Sequence, residues 1–292
     1  MNAGTSGMNT MNAAGPVGYL MGTGVLPQIL LSVAVATVLY IILMALEVLY
    51  KSFRAVTGTR VELLPMTVAA EDKPREFEQN PNNPRAKLLP LSDNERSGAE
   101  FSYAFYLWVN PNSFRQEDGL LHIMHKGNPT PFPLMAPGVF MKSNENKLRV
   151  YMNSSSTWNN FIEIENIPVK KWVHVVVMAR ANAIEVYING NLAKKMNMDG
   201  AALYQNFGNL YLFSQRPCVV NGAQMASLNG GILQIFGTYS GNMSNLYYYS
   251  YALSYTEIQS LVAQGPSRKT EKMDENAPPY LEDSWWTNHS SR

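Results

Sequence analysis

The stretch Lys170–Lys195, KKWVHVVVMARANAIEVYINGNLAKK, decides the fold. Trp172, His174, Val176 and Met178 alternate with Val173, Val175, Val177 and Ala179. A second run sets Ile184, Val186 and Ile188 against Glu185, Tyr187 and Asn189. Period-two alternation of β-branched and aromatic residues specifies strands, not a helix. Asn189-Gly190 supplies residues that accept positive φ, so the chain turns and a further short strand starts at Leu192. Both faces of the first strand are apolar, which requires cover on two sides, as for a central strand of a packed sandwich.

Working outward, Phe101–Val109 sets Phe101, Tyr103, Phe105, Leu107 and Val109 against Ser102, Ala104, Tyr106 and Trp108. Further strands are expected at 120–126, 138–142, 147–152, 161–165, 209–214, 232–236 and 244–251, with loops at 127–138 and 215–231 between them. Many short strands joined by turn residues predict a mainly β, antiparallel jelly-roll sandwich. Ser254-Tyr-Thr-Glu257 is a capping box that opens a short helix ending near Gly265. Trp172, His174-Val175 and the strand ending Tyr187-Ile-Asn-Gly190 resemble the centre of the concanavalin A-like lectin/laminin-G-like family. Gly241–Ser254, with its Ala252-Leu-Ser254 and the Glu257-Ile258 that follows, is similar to that family's closing strand and helical turn. The resemblance covers Phe101 to Gly265. It implies the fold and leaves function open, because the family hosts lectins, hydrolases and spacers.

The N-terminal third is organised differently. Residues 1–25 are polar and carry no charged side chain, which reads as a flexible segment. Leu26–Leu46, LPQILLSVAVATVLYIILMAL, is uncharged for 21 residues. At ~1.5 Å per residue it extends ~31 Å, the hydrocarbon thickness of a bilayer. Residues 26–50 are therefore expected to form one transmembrane α-helix, with the lipid bilayer as partner of Leu26–Tyr50. Lys51, Arg54 and Arg60 follow it, and no Lys or Arg precedes it. The positive-inside rule then places the C-terminal domain on the cytosolic side. Residues 51–97, punctuated by Pro65, Pro74, Pro81, Pro84 and Pro90, read as a linker, with 86–91 as an added edge strand. The sandwich is expected over 98–265 and a flexible tail over 266–292.

Composition excludes several functions. The net charge of +1 gives no electrostatic basis for nucleic-acid binding. One cysteine, Cys218, permits neither an internal disulfide nor a thiolate zinc site. His122 and His125 are three apart, which sends them to opposite faces of a regular strand. His174 reads as a hydrogen-bonded core residue. Glu163 and Glu165 share a strand face, yet the acid–Asp–acid run of the family's hydrolases is missing, so they read as a solvated face and no catalytic residue is expected. Calcium is the family's commonest ion, but Asp118 and Asp199 match no ligand motif, so neither metal nor cofactor is expected. Trp158 with Asn159 and Asn160 is the candidate ligand-binding stretch, an aromatic beside amides suited to a glycan. Tyr280, Trp285 and Trp286 are candidate docking aromatics for a protein partner.

The reading is thus a membrane-anchored, non-catalytic structural or interaction protein whose lectin-like sandwich binds a protein partner or neighbouring copies. By analogy it would suit the capsid-proximal membrane layer of a large DNA virus. The alternatives are a cell-surface carbohydrate-binding adhesin, for which glycosylation at Asn153 would be a sign, and a glycoside hydrolase.

Overall fold

A computed structural model describes residues 25–57, 60–92, 98–180, 182–198, 201–203, 205–221 and 232–271. The chain divides into two units between residues 58 and 59. Unit one holds helix α1 (Val25–Thr57). Its segment Gln28–Leu49 has a mean hydropathy of 2.8 and is long and apolar enough to cross a membrane, and none of it is buried. Ser32 and Thr37 bond back to the helix, Ser32 Oγ to Ile29 O and Thr37 Oγ1 to Val33 O, each at 2.8 Å. Every polar group they add is satisfied inside the helix, which an apolar surround demands.

Unit two is a β-sandwich. Its strands are β1 (Arg60–Leu64), β2 (Val68–Ala69), β3 (Arg75–Phe77), β4 (Phe101–Val109) and β5 (Leu120–Gly127). There follow β6 (Met135–Lys142), β7 (Lys147–Met152), β8 (Asn160–Glu165), β9 (Trp172–Arg180) and β10 (Ala183–Ile188). The set ends with β11 (Asn191–Asn197), β12 (Asn209–Leu212), β13 (Cys218–Asn221), β14 (Ile232–Thr238) and β15 (Gly241–Tyr249). One sheet runs β1-β15-β4-β9-β10-β11, with β2 also on β15. The other runs β13-β14-β5-β6-β7-β8, with β12 between β5 and β3. Pairing is antiparallel except where β14 lies parallel to β5.

Strand β9 sits between β4 and β10, and its two apolar faces have two different covers. Val173, Val175, Val177 and Ala179 enter the core between the sheets. Val176 and Met178 lie on the opposite face under helix α2 (Tyr255–Gln264), with Ala104, Tyr247, Tyr249, Ile258 and Leu261. Ser254 caps α2, with Glu257 completing the capping box. At the other end Tyr106 Oη donates to the carbonyls of Leu261 and Val262, both at 2.9 Å. These bonds fill acceptors that a helix C-terminus leaves open.

Several boundaries differ from the sequence reading. The stretch 51–97 is no linker. Helix α1 occupies its start, and β1 opposes β15 with Arg60 across from Tyr249. Leu63, Leu64 and Val68 are buried in the core, whereas Pro74, Pro81, Pro84 and Pro90 fall outside strands. Alternation over three to five residues is too short to register as a strand. Residues 86–91 form no strand; Tyr248 Oη instead donates to Pro90 O at 2.6 Å. Strand β13 arises inside the expected 215–231 loop. Residues 266–271 are not a free tail. Thr67 and Thr270 bridge, Thr67 N donates to Lys269 O at 2.8 Å, and Glu271 pairs with Lys73 at 2.9 Å and with Arg75. Residues 1–24 and the aromatics Tyr280, Trp285 and Trp286 lie outside the described residues.

Candidate functional site

The face of the second sheet that points away from the core carries a file of six rings. Cross-strand register puts them there. Tyr211 opposes His125 on β12 and β5, His122 opposes Phe140 on β5 and β6, and Tyr151 opposes Phe161 on β7 and β8. Neighbouring ring centroids are 5.0 Å (Tyr211–His125), 4.9 Å (His125–His122), 5.5 Å (His122–Phe140), 5.7 Å (Phe140–Tyr151) and 5.5 Å (Tyr151–Phe161). These separations are those of favourable stacked and edge-to-face pairs.

A bulge makes the file continuous. The β5–β6 register slips between His122 and Met124, so Ile123 is an extra residue and the two histidines share one face. This overturns the expectation of opposite faces. The bulge lies where β5 changes neighbours, from β14 at Leu120–His122 to β12 at Met124–Gly127. Ser214 N, just past the end of β12, donates to His122 Nδ1 at 2.9 Å. His122 Nε2 must then carry its proton, and it meets His125 Nδ1 at 2.6 Å. His125 Nε2 in turn donates to Asn128 O at 2.7 Å. All four ring nitrogens are engaged, so none is open to a metal. Burial pushes His122 well below the usual histidine range and His125 to about 4, so both are neutral.

The file is half-buried at Tyr211, buried from His125 through Tyr151, and opens at Phe161, which is 42% exposed. Arg149 lies over the Phe161 ring at 4.5 Å and donates through Nε to Glu163 Oε1 at 2.7 Å. Glu165, on the same strand face, pairs with Lys147 at 3.3 Å. An aromatic platform roofed by a guanidinium and edged by a carboxylate suits a polar ring or an amide-bearing surface. Glu163 and Glu165 thus each face a cation. Among the described residues no group of three His, Cys, Asp or Glu side chains stands ready for a metal ion.

Trp158 borders this face. It packs edge-on against Phe132 at 4.6 Å, with Met135, Phe140 and Tyr151 in the same cluster. Asn160 turns its amide inward, to Met152 O at 3.4 Å, Ser154 Oγ at 2.9 Å and Thr157 O at 3.1 Å. Asn159 is half-buried beside them. Asn153, which begins one of the chain's three Asn-x-Ser sequons, is fully buried: it accepts from Met135 N at 2.6 Å and donates to Pro133 O and Trp158 O. It has no surface for a glycan. The sequence reading missed Phe161 and Arg149, although the alternation Arg149/Tyr151 and Phe161/Glu163/Glu165 put each set on one face. The register that joins the sets is not visible in either strand alone.

His174 is buried against Tyr106, with centroids 4.8 Å apart, and its Nδ1 has no hydrogen-bond partner. Its burial fits the reading of a core residue, and its backbone N–H donates to Asn189 Oδ1 at 2.9 Å.

Two packed antiparallel sheets closed by a short capped helix define a lectin-like sandwich. A family model described as the concanavalin A-like lectin/glucanases superfamily matches residues 87–259, and the chain belongs to that superfamily. The match leaves β1 to β3 outside it. Among solved structures, the botulinum neurotoxin serotype D binding domain is 9% identical with a TM-score of 0.44, over 70% of this chain and 50% of that one. The binding domain of Paraclostridial Mosquitocidal Protein 1 is 10% identical with a TM-score of 0.42, over 71% of this chain and 47% of that one. The binding domain of botulinum neurotoxin DC, solved in complex with rat synaptotagmin II, is 15% identical with a TM-score of 0.37, over 57% and 36%. The chain spans at most half the length of these structures. A search of curated proteins returns no match.

Proposed function

We propose that the chain is a membrane-anchored, non-catalytic interaction module whose lectin-like sandwich meets a protein partner or a second copy at a bilayer. The observation that carries this reading is α1: the side chains of Ile29, Val33, Leu39, Tyr40 and Leu43 are each more than half exposed although apolar. A helix that is apolar all round needs a protein core or lipid around it. Two residues, Gly58 and Thr59, separate it from β1, so wherever the helix is held the sandwich is held too. The absence of turnover is supported by Glu163 and Glu165, each neutralised by a neighbouring cation where a hydrolase needs one protonated and one free carboxylate. Lys51, Arg54 and Arg60, with no Lys or Arg before the helix, support a cytosolic address for the sandwich.

Alkaline carbonate extraction of membranes from cells making the full chain tests the anchor: the chain stays in the pellet. Protease added to sealed right-side-out vesicles tests the side: a protected sandwich supports the cytosolic address, and a digested one the external address. The finer setting, the capsid-proximal membrane of a large DNA virus, is tested by whether detergent strips the chain from purified virions.

A second reading, glycan binding, is favoured by one observation: Phe161 is exposed under Arg149 and beside Glu163. A glycan array probed with detergent-solubilised full chain and its Phe161→Ala variant separates the two. Binding that disappears with Phe161 supports the glycan, and a blank array leaves the protein partner.

A further inference from the structure

Resting on the membrane-anchored reading, we infer that one end of the sandwich, tipped by Phe207 and Leu91, inserts into the headgroup–acyl boundary of the same bilayer. Phe207 is 78% exposed, more than any other large apolar side chain described outside α1. Its loop is nevertheless held rigidly. Lys126 is buried, and its Nζ donates to the carbonyls on either side of Phe207: Asn206 O at 2.6 Å and Gly208 O at 2.8 Å. Asn206 Nδ2 donates back to Lys126 O at 2.8 Å, and Asn206 Oδ1 accepts from Gly208 N at 3.0 Å. A β-carbon on Gly208 would lie 2.3 Å from Gly127 O, so the backbones are in direct contact there.

A buried ammonium is costly without a carboxylate partner. Here both of its described hydrogen bonds fix the two residues flanking one exposed phenyl ring. An apolar ring held in water gains nothing from rigidity. A ring that enters an apolar phase does, because no loop entropy is lost on entry.

The position of this loop selects lipid as that phase. Gln205 Oε1 accepts from Ser92 N at 2.8 Å, which ties the Phe207 loop to the segment holding Leu88 and Leu91, 45% and 50% exposed. Tyr248 Oη joins both segments, donating to Pro90 O at 2.6 Å and accepting from Gln205 Nε2 at 2.6 Å. Tyr248 opposes Val61, the residue after Arg60. Phe207 and Leu91 therefore crown the end at which the chain enters the sandwich, with two residues between the last residue of α1 and Arg60. Arg60 and Arg85 are exposed on the segments running through this end, and their guanidinium groups suit lipid phosphates.

The test uses the full chain with Cys218 replaced by Ser, reconstituted in vesicles of phosphatidylcholine with a minority of phosphatidylglycerol. Single nitroxide labels go on Phe207→Cys, on Leu192→Cys beside the β10–β11 turn at the other end, and on Leu39→Cys in α1. Collision rates with oxygen and with a water-soluble nickel complex report depth. The inference expects oxygen to win several-fold at positions 207 and 39, and nickel to win at 192. A label at 207 as nickel-accessible as that at 192, with 39 still deep, overturns the inference and leaves the anchor. A nickel-accessible label at 39 removes the anchor, and the inference with it. Immersion at both 192 and 207 also overturns it, since no particular end would then be favoured.

Discussion

His122 and His125 share one proton-ordered contact of 2.6 Å inside the second sheet. The order is imposed from outside the pair, because Ser214 N–H fills His122 Nδ1 and Asn128 O receives the His125 Nε2 proton. Removing one ring strands the other: His125→Leu leaves the His122 Nε2–H buried without an acceptor. We expect His122→Leu and His125→Leu each to lower stability by about 2 kcal/mol, and the double variant to cost less than their sum. Chemical denaturation of the three variants measures the coupling, and strict additivity would contradict the relay.

Acid should weaken the fold through buried histidines. His122, His125 and His174 are all held below the ordinary value by burial, the last two at about 4. Each is neutral when folded and titrates near ~6.5 when unfolded. Its contribution is therefore intact above ~6.5 and drains away as pH falls toward its folded value, by about 1.4 kcal/mol per pH unit per histidine. Urea midpoints measured from neutral pH down through this window should drop, and His174→Phe should flatten part of that slope.

The sandwich needs residues that the family match omits. A fragment beginning at residue 98 lacks Leu63, Leu64 and Val68 from the core and leaves Tyr248 without Pro90. We expect it to be insoluble or to unfold without a cooperative transition, and a fragment starting at Arg60 to show one. Circular dichroism melts of the pair decide this.

Gly208 has no room for a methyl group. Gly208→Ala would drive its β-carbon to 2.3 Å from Gly127 O, and both neighbours are backbone. About 3 kcal/mol of lost stability is expected. Chemical denaturation of Gly208→Ala measures this, and a midpoint equal to that of the parent chain would deny the close approach.

Much of this architecture could be read from residue order. Strands β4 and β7 begin and end where alternation places them, because each is long and half or fully buried. The capping box at Ser254 and Glu257 was equally plain, since its chemistry is local. What escaped depends on partners distant in the chain. Arg60–Leu64 is a strand because Leu246–Tyr249 lies beside it, and nothing within five residues reveals that. The histidine pair escaped because one bulge residue, Ile123, inverts the face rule that a regular strand obeys. The aromatic file is invisible for a related reason: its six rings lie on five strands, and only register assembles them. Trp158, Asn159 and Asn160 are contiguous, so sequence alone can offer them as a candidate stretch, but the direction of the Asn160 amide, into its own turn, is set by Ser154 and Thr157.

Strand β1 is bonded to β15, the last strand among the described residues. A ribosome adding ~5–20 residues per second needs ~10–40 s to travel from one to the other. Throughout that interval the nascent chain has already delivered its greasy segment and still carries Leu63 and Leu64 without a neighbour. Any message cut short before Gly241 therefore yields a product with an open seam, ready for capture by chaperones or for degradation.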